Sequence, residues 1–484
     1  MRNKLIILSL LVIAVTGCTK NFLDVNNTPN NPLNVPPATL LPNTTIGMAF
    51  ANTNELGRFA SILVQYNAGD ANQVLAADIY NLDNQLDNQW SLEVYGNTMN
   101  NLRILIESTQ ETNPKYAGIA KIQLAYLVSM ATDLWGDVPY SQAGFGTKFV
   151  SPRFDKQEDI YQGNAGENIQ SLFDLVKEGI ADLDKTSALA PGNDDLIYKG
   201  DLAKWKRAAN SMILKFAMQI SNKNPALAKS QIEAVLTGNN YINANNLDFE
   251  VPFGSTTGNQ NALYSFNNVN RPSDQQLSLR YLNLMKSLND TIRLAKLYTK
   301  PNGVFGALEN GLAQVQAAPP LASRSKYNTY LTGASGEAPV RLITNAQVQF
   351  ILAEAALILG TPGDANAYYQ AGIKAHMSKV GMTTAEIDDY FATNPTVVTL
   401  TGTTEEKRKQ IITQKYIALT GNGIEAYNDY RRTGYPILAI SQNTAGDDPA
   451  VLPTRFPYTP NELLRNPNAP NPRPLTNVKL WFAK

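Results

Sequence analysis

The sequence predicts an all-α protein with one long loop-rich interruption, and three observations carry that prediction. Apolar residues recur at helical spacing through residues 164–185 and again through 202–220. Residues 345–359 and 365–379 read as a helical hairpin, closed by the turn G-T-P-G-D at 360–364. Between these regions the periodicity disappears. Residues 239–338 are rich in Asn, Gly, Ser, Thr and Pro, and the interruption as a whole runs from 239 to about 344. The chain carries 41 basic and 41 acidic residues with no basic stripe, which argues against nucleic acid as a partner.

The chain opens with a short basic region, Arg2 and Lys4, and then an apolar run over residues 5–15 that is too short to span a bilayer. V-T-G-C follows at 15–18, placing small residues directly before a cysteine. Residues 1–17 read as a lipoprotein signal peptide, with cleavage before Cys18 and acylation of its thiol and amine. The alternative is an ordinary signal peptide with an incidental cysteine. One acyl chain binds a membrane marginally and two or more hold it, so outer-membrane lipid is an expected partner through Cys18. No other cysteine exists, which excludes internal disulfides, a thiol nucleophile and a Cys-based metal site elsewhere. Residues 18–43 read as an extended tether, because N-N-T-P-N-N-P at 26–32 cannot be helical. Residues 44–484 read as one domain, long enough for a large core.

Residues 44–66 predict a helix. Residues 67–89 are polar, with Asn72, Asp78, Tyr80, Asp83, Gln85 and Asp87 close together. Trp90 and Tyr95 then lead into a helix through Leu102, Leu105 and Ile106. Tyr80 and Trp90 are either stacking platforms for a sugar or peptide or, in the case of Trp90, core. Residues 116–135 form a strongly apolar helix on which Ile119, Ile122, Leu127 or Val128, and Ala131 keep helical spacing. Gly136 ends it and Pro139 stops regrowth, so Asp133, Trp135, Asp137 and Tyr140 gather on a helix end and a turn. That cluster is either a terminator with a buried Trp or the lip of a ligand site.

The helix predicted over 164–185 carries its stripe as Ile169, Leu172, Phe173, Val176, Ile180 and Leu183. Asp201 is a good N-cap for the next helix, whose buried face is Leu202, Trp205, Ala209, Met212, Ile213, Phe216 and Ile220. Within the interruption one helix is expected over 275–298. Its loops hold Tyr264, Phe266, Asn268, Arg271, Phe305, Tyr327 and Tyr330, which either touch ligand or pin the loops down. Asp364 caps the second helix of the hairpin, and Ala353, Ala356, Tyr368, Ala371 and Ile373 give small-against-large packing. A helix over 405–420 is broken by G-N-G at 421–423. Arg431 and Arg432 beyond it bind either an anionic ligand or internal carboxylates.

The catalytic inventory is thin. His376 is the only histidine, and no G-x-S-x-G elbow accompanies it. One histidine and a lipidated cysteine cannot make a zinc set, and no phosphate-cradling glycine loop is present. Residues 83–87 lack the ligand order of an EF-hand. No catalytic residue, metal or cofactor is therefore expected, although 41 acidic residues leave a glycosidase-like pair open as a rival reading. What remains is recognition by aromatic stacking with Asn, Gln, Asp and Arg as polar partners.

Several segments together carry a resemblance. D-L-W-G-D-V-P-Y at 133–140 resembles the G-D-V-P-Y-S turn of the SusD/RagB family. Y-x-G-D-x-x-K-W-x-x-x-A-N-S at 198–211 is similar to a second signature, and G-I-E-A-Y-N-D-Y-R-R-T-G-Y-P at 423–436 to a third. F-L-D-x-N at 22–26, the W-x4-Y spacing of Trp90 and Tyr95 before Asn100 and Asn101, R-F-P-Y at 455–458 and the terminal Trp481-Phe482 also fit. The resemblance implies about four tetratricopeptide-like helix pairs as a scaffold, with the loop-rich insertion facing ligand. It implies a lipid-anchored protein of the outer membrane of a Bacteroidetes-type cell, exposed at the surface. Such a protein binds an oligosaccharide, or in some members a peptide, and passes it to a SusC-like TonB-dependent transporter without catalysis. On this reading the candidate ligand contacts are Asn72, Tyr80, Asp83, Gln85, Trp90, Tyr264, Asn268 and Arg271. A tetratricopeptide-like adaptor and a surface glycoside hydrolase are the rival readings.

Overall fold

The computed structural model describes residues 35–317 and 319–484; the expected signal peptide, Cys18 and most of the expected tether lie outside the described residues. The helix Pro114–Trp135 is the centre of the molecule, buried on nearly every side from Tyr116 onward. Its sequence has no polar face because no face meets water. Leu172–Leu183, Asn100–Thr109 and Pro37–Thr53 pack around it. The closest approach uses glycine on both sides. A Cβ at Gly118 would sit 2.7 Å from the Gly179 carbonyl oxygen, so even alanine there would drive the Pro114–Trp135 and Leu172–Leu183 helices apart. Gly136 closes the central helix at φ +88°, a conformation that side chains disfavour.

Consecutive helices pair throughout the body: Asn100–Thr109 with Pro114–Trp135, Leu202–Gln219 with Pro225–Gly238, Asn345–Ile358 with Ala365–Lys379, and Thr404–Ala418 with Gly423–Thr433. The expected hairpin is present, with the Asp364 side chain accepting from the Ala367 N–H at 2.6 Å. The Asp201 cap is present too, accepting from Lys204 N–H at 3.1 Å. Trp205 is fully buried and donates to Asp195 Oδ2 at 2.7 Å, while Trp135 donates to the Pro457 carbonyl at 3.0 Å. The fold is all-α, with strand content limited among the described residues to two short antiparallel pairs, Asn67–Gly69 with Gln275–Leu277 and Phe249–Val251 with Val340–Ile343.

Four expectations about boundaries are corrected. The helix expected over 44–66 starts earlier, at Pro37, and breaks at Asn54 into Pro37–Thr53 and Glu55–Leu63. Residues 37–43 are thus helix rather than extended tether. Pro37 suits a first turn, and burial of Leu40 and Leu41 outweighs the hydrogen bond that Pro42 cannot donate. The stretch 164–171 is an irregular turn, with Asn164 bridged to Ile169, and the helix begins only at Leu172, where Ser171 caps it. The polar stretch 67–89 contains a strand and the helix Asn72–Asp78. The single helix expected over 275–298 resolves into the strand Gln275–Leu277 and the helices Leu279–Ser287 and Thr291–Leu297, since Leu277 is recruited to a ladder with Asn67.

Buried charge holds the C-terminal half together. Glu354, 0% exposed, receives a bidentate Arg432 fork, both contacts at 2.7 Å, and Arg408 at 2.9 Å. Burial alone would raise its pKa, but the two guanidinium groups hold it down to about 2. Arg432 also reaches Asp429, and Arg431 donates to the Asp133 carbonyl and Asn428. The paired arginines therefore bind internal partners rather than a ligand.

Candidate functional site

The short ladder between Asn67–Gly69 and Gln275–Leu277 fixes a junction on the loop-rich side. Gly69 pairs with Gln275, so the turn after the first strand meets the turn before the second. Asp70 and Ala71 both donate their N–H groups to the Asp274 carbonyl, at 2.7 and 3.3 Å. Asn72, held at φ 54°, donates to Asp274 Oδ2 at 2.9 Å. Arg324 closes the junction from a third segment, reaching Asp70 Oδ2 and the Ser273 carbonyl at 2.6 Å each. Asn268, Val269 and Arg271 stand exposed on the adjoining turn, and Val304 and Leu321 are exposed on the loops that lead to Arg324.

Beneath this rim lies a charged network on otherwise apolar helices. The Arg58 guanidinium sits 3.8 Å from the centre of the Phe266 ring and donates to Asn54 Oδ1 at 3.1 Å. Asn54 in turn donates to Glu93 at 2.6 Å, and Gln89 donates to Glu55 at 2.9 Å. Glu55 lies 3.6 Å from Arg58. Burial raises the pKa of Glu55 and of Glu93, and lowers that of Arg58, with the opposite charges compensating only in part. Glu55 Oε1, Gln89 Oε1 and Glu93 Oε2 have no hydrogen-bond partner, and Glu55 Oε1 has only the 3.6 Å ion pair with Arg58. Two irregular backbone features frame the network, the helix break at Asn54 and a wide π-helical stretch, Gln89–Met99. Phe266, itself on a π-helical turn Ser265–Asn270, covers it.

Asp78 anchors the junction from below. It accepts from Gly69 N–H at 3.1 Å, Gly311 N–H at 2.7 Å and Asn310 at 2.6 Å. Burial raises its carboxyl to about 7 despite these donors.

The eight sequence-predicted residues separate into groups. Asn72, Asn268 and Arg271 come together at the junction. Tyr264, half-buried, instead packs against the turn at Gly336. Asp83 lies on another patch, paired with Arg473 at 2.9 Å, and Gln85 is half-buried in the loop that follows. Tyr80 and Trp90 do not serve as open stacking platforms, since they are 2% and 3% exposed. Tyr80, at φ 69°, accepts from Ser441 N–H at 2.8 Å. Trp90 packs edge-on to Trp135 at 5.0 Å and donates to Glu462 at 3.2 Å, showing one edge to a cleft of about 380 Å³ beside Pro139 and Gly144. Aromatic burial won over exposure at both positions. Sequence reasoning missed Glu55, Arg58, Asp70 and Arg324. The first two carried a signal: an acid and a base three apart on a helix whose other residues are all apolar or small.

Comparison with known proteins follows this geometry. A family model described as "Starch-binding associating with outer membrane" (SusD-like) matches residues 29–459. Among solved structures, a chitin-binding protein is 25% identical, with 93% of this chain and 100% of that one covered at a TM-score of 0.78. A chitin-binding SusD homologue from Flavobacterium johnsoniae is 22% identical over 92% of this chain and 97% of its own, at 0.76. A SusD homologue from Bacteroides uniformis is 23% identical over 92% and 99%, at 0.75. The comparison with curated proteins finds no match. Among the described residues no helix is long and apolar enough to cross a membrane. The family match across nearly the whole chain, on a helix-pair scaffold with a loop-rich side, shows that the chain belongs to the SusD-like family.

Proposed function

We propose that the protein is a cell-surface lipoprotein, anchored in the outer membrane through Cys18, that binds a glycan on its loop-rich side and passes it unchanged to a TonB-dependent transporter. The observation that carries this reading is the family match over residues 29–459. The chitin-binding relatives, which share the fold from end to end, support a saccharide ligand. The rim at Asn72, Asn268, Val269 and Arg271 offers the mixed polar and apolar surface that a sugar needs, over the rigid Arg58–Phe266 stack.

His376, the single histidine, argues against a histidine-dependent hydrolase, whereas a glycosidase would rely on a carboxylate pair. His376 is 2% exposed, its pKa is driven down by burial and by Arg293, and it packs edge-on to Tyr330. A buried neutral imidazole cannot act as a base toward a surface-bound substrate.

Affinity electrophoresis against immobilised glycans tests the ligand class, with peptides as the control panel. Retention by a glycan without product release supports the reading. Retention by peptides alone shifts it to a peptide binder, retention by neither favours a protein-binding adaptor, and release of shortened glycans identifies a hydrolase. The anchor has its own test: Cys18→Ala leaves the fold intact and releases the protein from membranes. A variant that stays membrane-bound at high salt rules the anchor out.

A further inference from the structure

Two further clefts have linings that include none of Asn72, Asn268 and Arg271. These clefts, of about 360 and 520 Å³, lie between the helices Leu279–Ser287 and Thr404–Ala418, and they share Leu284, Lys409 and Thr413 as common wall. The clefts adjoin along that wall, with Thr413 between them, and are taken together below as one trough. Each cleft falls within the range of about 300–1,000 Å³ usual for small-ligand sites.

The chemistry of the trough is selective. Neutral amides and hydroxyls dominate the polar part of the larger cleft, from Gln410, Gln414, Thr396 and Thr401. Leu284 and the largely buried Tyr369 supply apolar surface beside them. The other charged groups of the lining are engaged within the protein. Glu406 accepts from Thr403 N–H at 2.7 Å in a capping box, and Arg280 is paired with Glu309 and donates to the Ala439 carbonyl at 2.6 Å. Lys409 and Glu406, both exposed, are the charged lining groups without an ion pair among the described residues, one of each sign. An ionic ligand would find little countercharge here, and a lipid would meet too many polar groups. A saccharide, with hydroxyls around a ring whose faces are C–H, matches both parts of the surface.

The floor shows the same preparation. Gln414 is 1% exposed, and its Oε1 accepts from Arg293 Nη2 at 2.7 Å. Arg293 is in turn paired with Asp290, so the Gln414 amide is held in one orientation by a buried ion pair. Its Nε2 donor is left without a partner. A buried unpaired donor costs about 1–3 kcal/mol, so it is a natural place for a ligand acceptor.

We infer that this trough is a second binding site for a neutral oligosaccharide, spanning both clefts across Thr413. The inference rests on the glycan-binding reading above and adds a site that the loop-rich rim does not include. Bound there, a chain would be gripped by the helical scaffold while a further stretch engaged the rim, which raises the effective concentration at each site.

Isothermal calorimetry with short neutral oligosaccharides (chito-, malto- and xylo-series) tests it on the full chain. Wild-type protein is expected to bind two equivalents of its ligand. Thr413→Trp, which fills the space between the clefts, should lower the stoichiometry to one, and Gln410→Ala, which removes a lining amide together with its bonds to Thr396, Thr399 and Thr401, should weaken the same site about tenfold. Arg271→Ala should weaken only the other site. A stoichiometry of one that Arg271→Ala abolishes and that Gln410→Ala and Thr413→Trp leave unchanged overturns the trough while leaving the proposed function standing. Failure of wild-type protein to bind any saccharide sinks both. Thermal unfolding of each variant identifies a misfolded one, and Gln410→Ala, at a half-buried rim position, keeps the test open if Thr413→Trp does not fold.

Discussion

Glu354 and Glu55 are both buried glutamates beside arginine, and their fates differ. In the scaffold, Glu354 takes a two-pronged guanidinium and a second arginine, and its carboxyl is held down to about 2. Under the loop-rich rim, Glu55 stands 3.6 Å from a single arginine whose face is given to Phe266, and its carboxyl is raised by burial. Both carboxylate oxygens of Glu354 are hydrogen-bonded, whereas one oxygen each of Glu55, Gln89 and Glu93 has no hydrogen-bond partner. Regularity explains the contrast. Facing helices in the body fix side chains at repeating positions, whereas the rim is assembled from a helix break, π-turns and loops that are free to vary.

This contrast sets the order of expected effects. Arg432→Met should be the most damaging change, because Arg432 bridges the buried carboxylates of Glu354 and Asp429. A loss of about 3–5 kcal/mol is expected, read by urea denaturation, or failure to fold. A drop under 1 kcal/mol would show that Arg408 alone suffices and that the scaffold is no better satisfied than the rim.

Phe266→Ala should act the other way. It uncovers Arg58 and should cost glycan affinity at least tenfold, about 1.4 kcal/mol, with a stability change of similar or smaller size. Equal affinity for variant and wild type would remove Phe266 and the network below it from the ligand site.

Titration separates Glu354 from Asp78 by sign, with Asp133 and Asp248 shifted upward by burial as Asp78 is. Glu354 has a depressed pKa, so its contribution is complete above about 4.5 and is lost as pH falls toward 2. Asp78 has a pKa raised from 3.8 to about 7, so the folded state binds more protons than the unfolded one in that window, and stability falls as pH rises through it. Urea midpoints of wild-type protein should decline between pH 4 and 7; Asp78→Asn should reduce that decline, with Asp133 and Asp248 supplying the remainder, and leave the acid limb unchanged. A decline of unchanged slope would assign it to other groups.

The smallest effect is expected from Asp83→Ala. It breaks an exposed pair with Arg473, which also holds Asp447, and should cost about 0–1 kcal/mol. A larger loss would mean that this patch, too, is part of the structural frame.

Much of the scaffold could be read along the chain. The stripes around Trp205, the Asp201 and Asp364 caps and the Gly136 terminator all act within a few residues, and local spacing reports them. Of the candidate site, Asn72, Asn268 and Arg271 were visible as polar groups in loops, and the structure brings them to one place. Trp90 and Tyr80 misled because an aromatic next to polar residues looks the same whether it faces water or the core. Arg58 and Arg324 were overlooked as ligand-side residues because their partners, Phe266 and Asp70, lie some two hundred positions away.

The amino-acid sequence by itself determined the helical class, the family and the place of the loop-rich insertion, because periodicity, caps and signature turns are short-range properties. Only the tertiary structure decided which polar residues meet at the rim, which arginines are consumed internally, and where a trough opens between helices. Those outcomes depend on the pairing of Asn67–Gly69 with Gln275–Leu277 and on the packing of distant helices, and burial assigned each charged group either a partner or none.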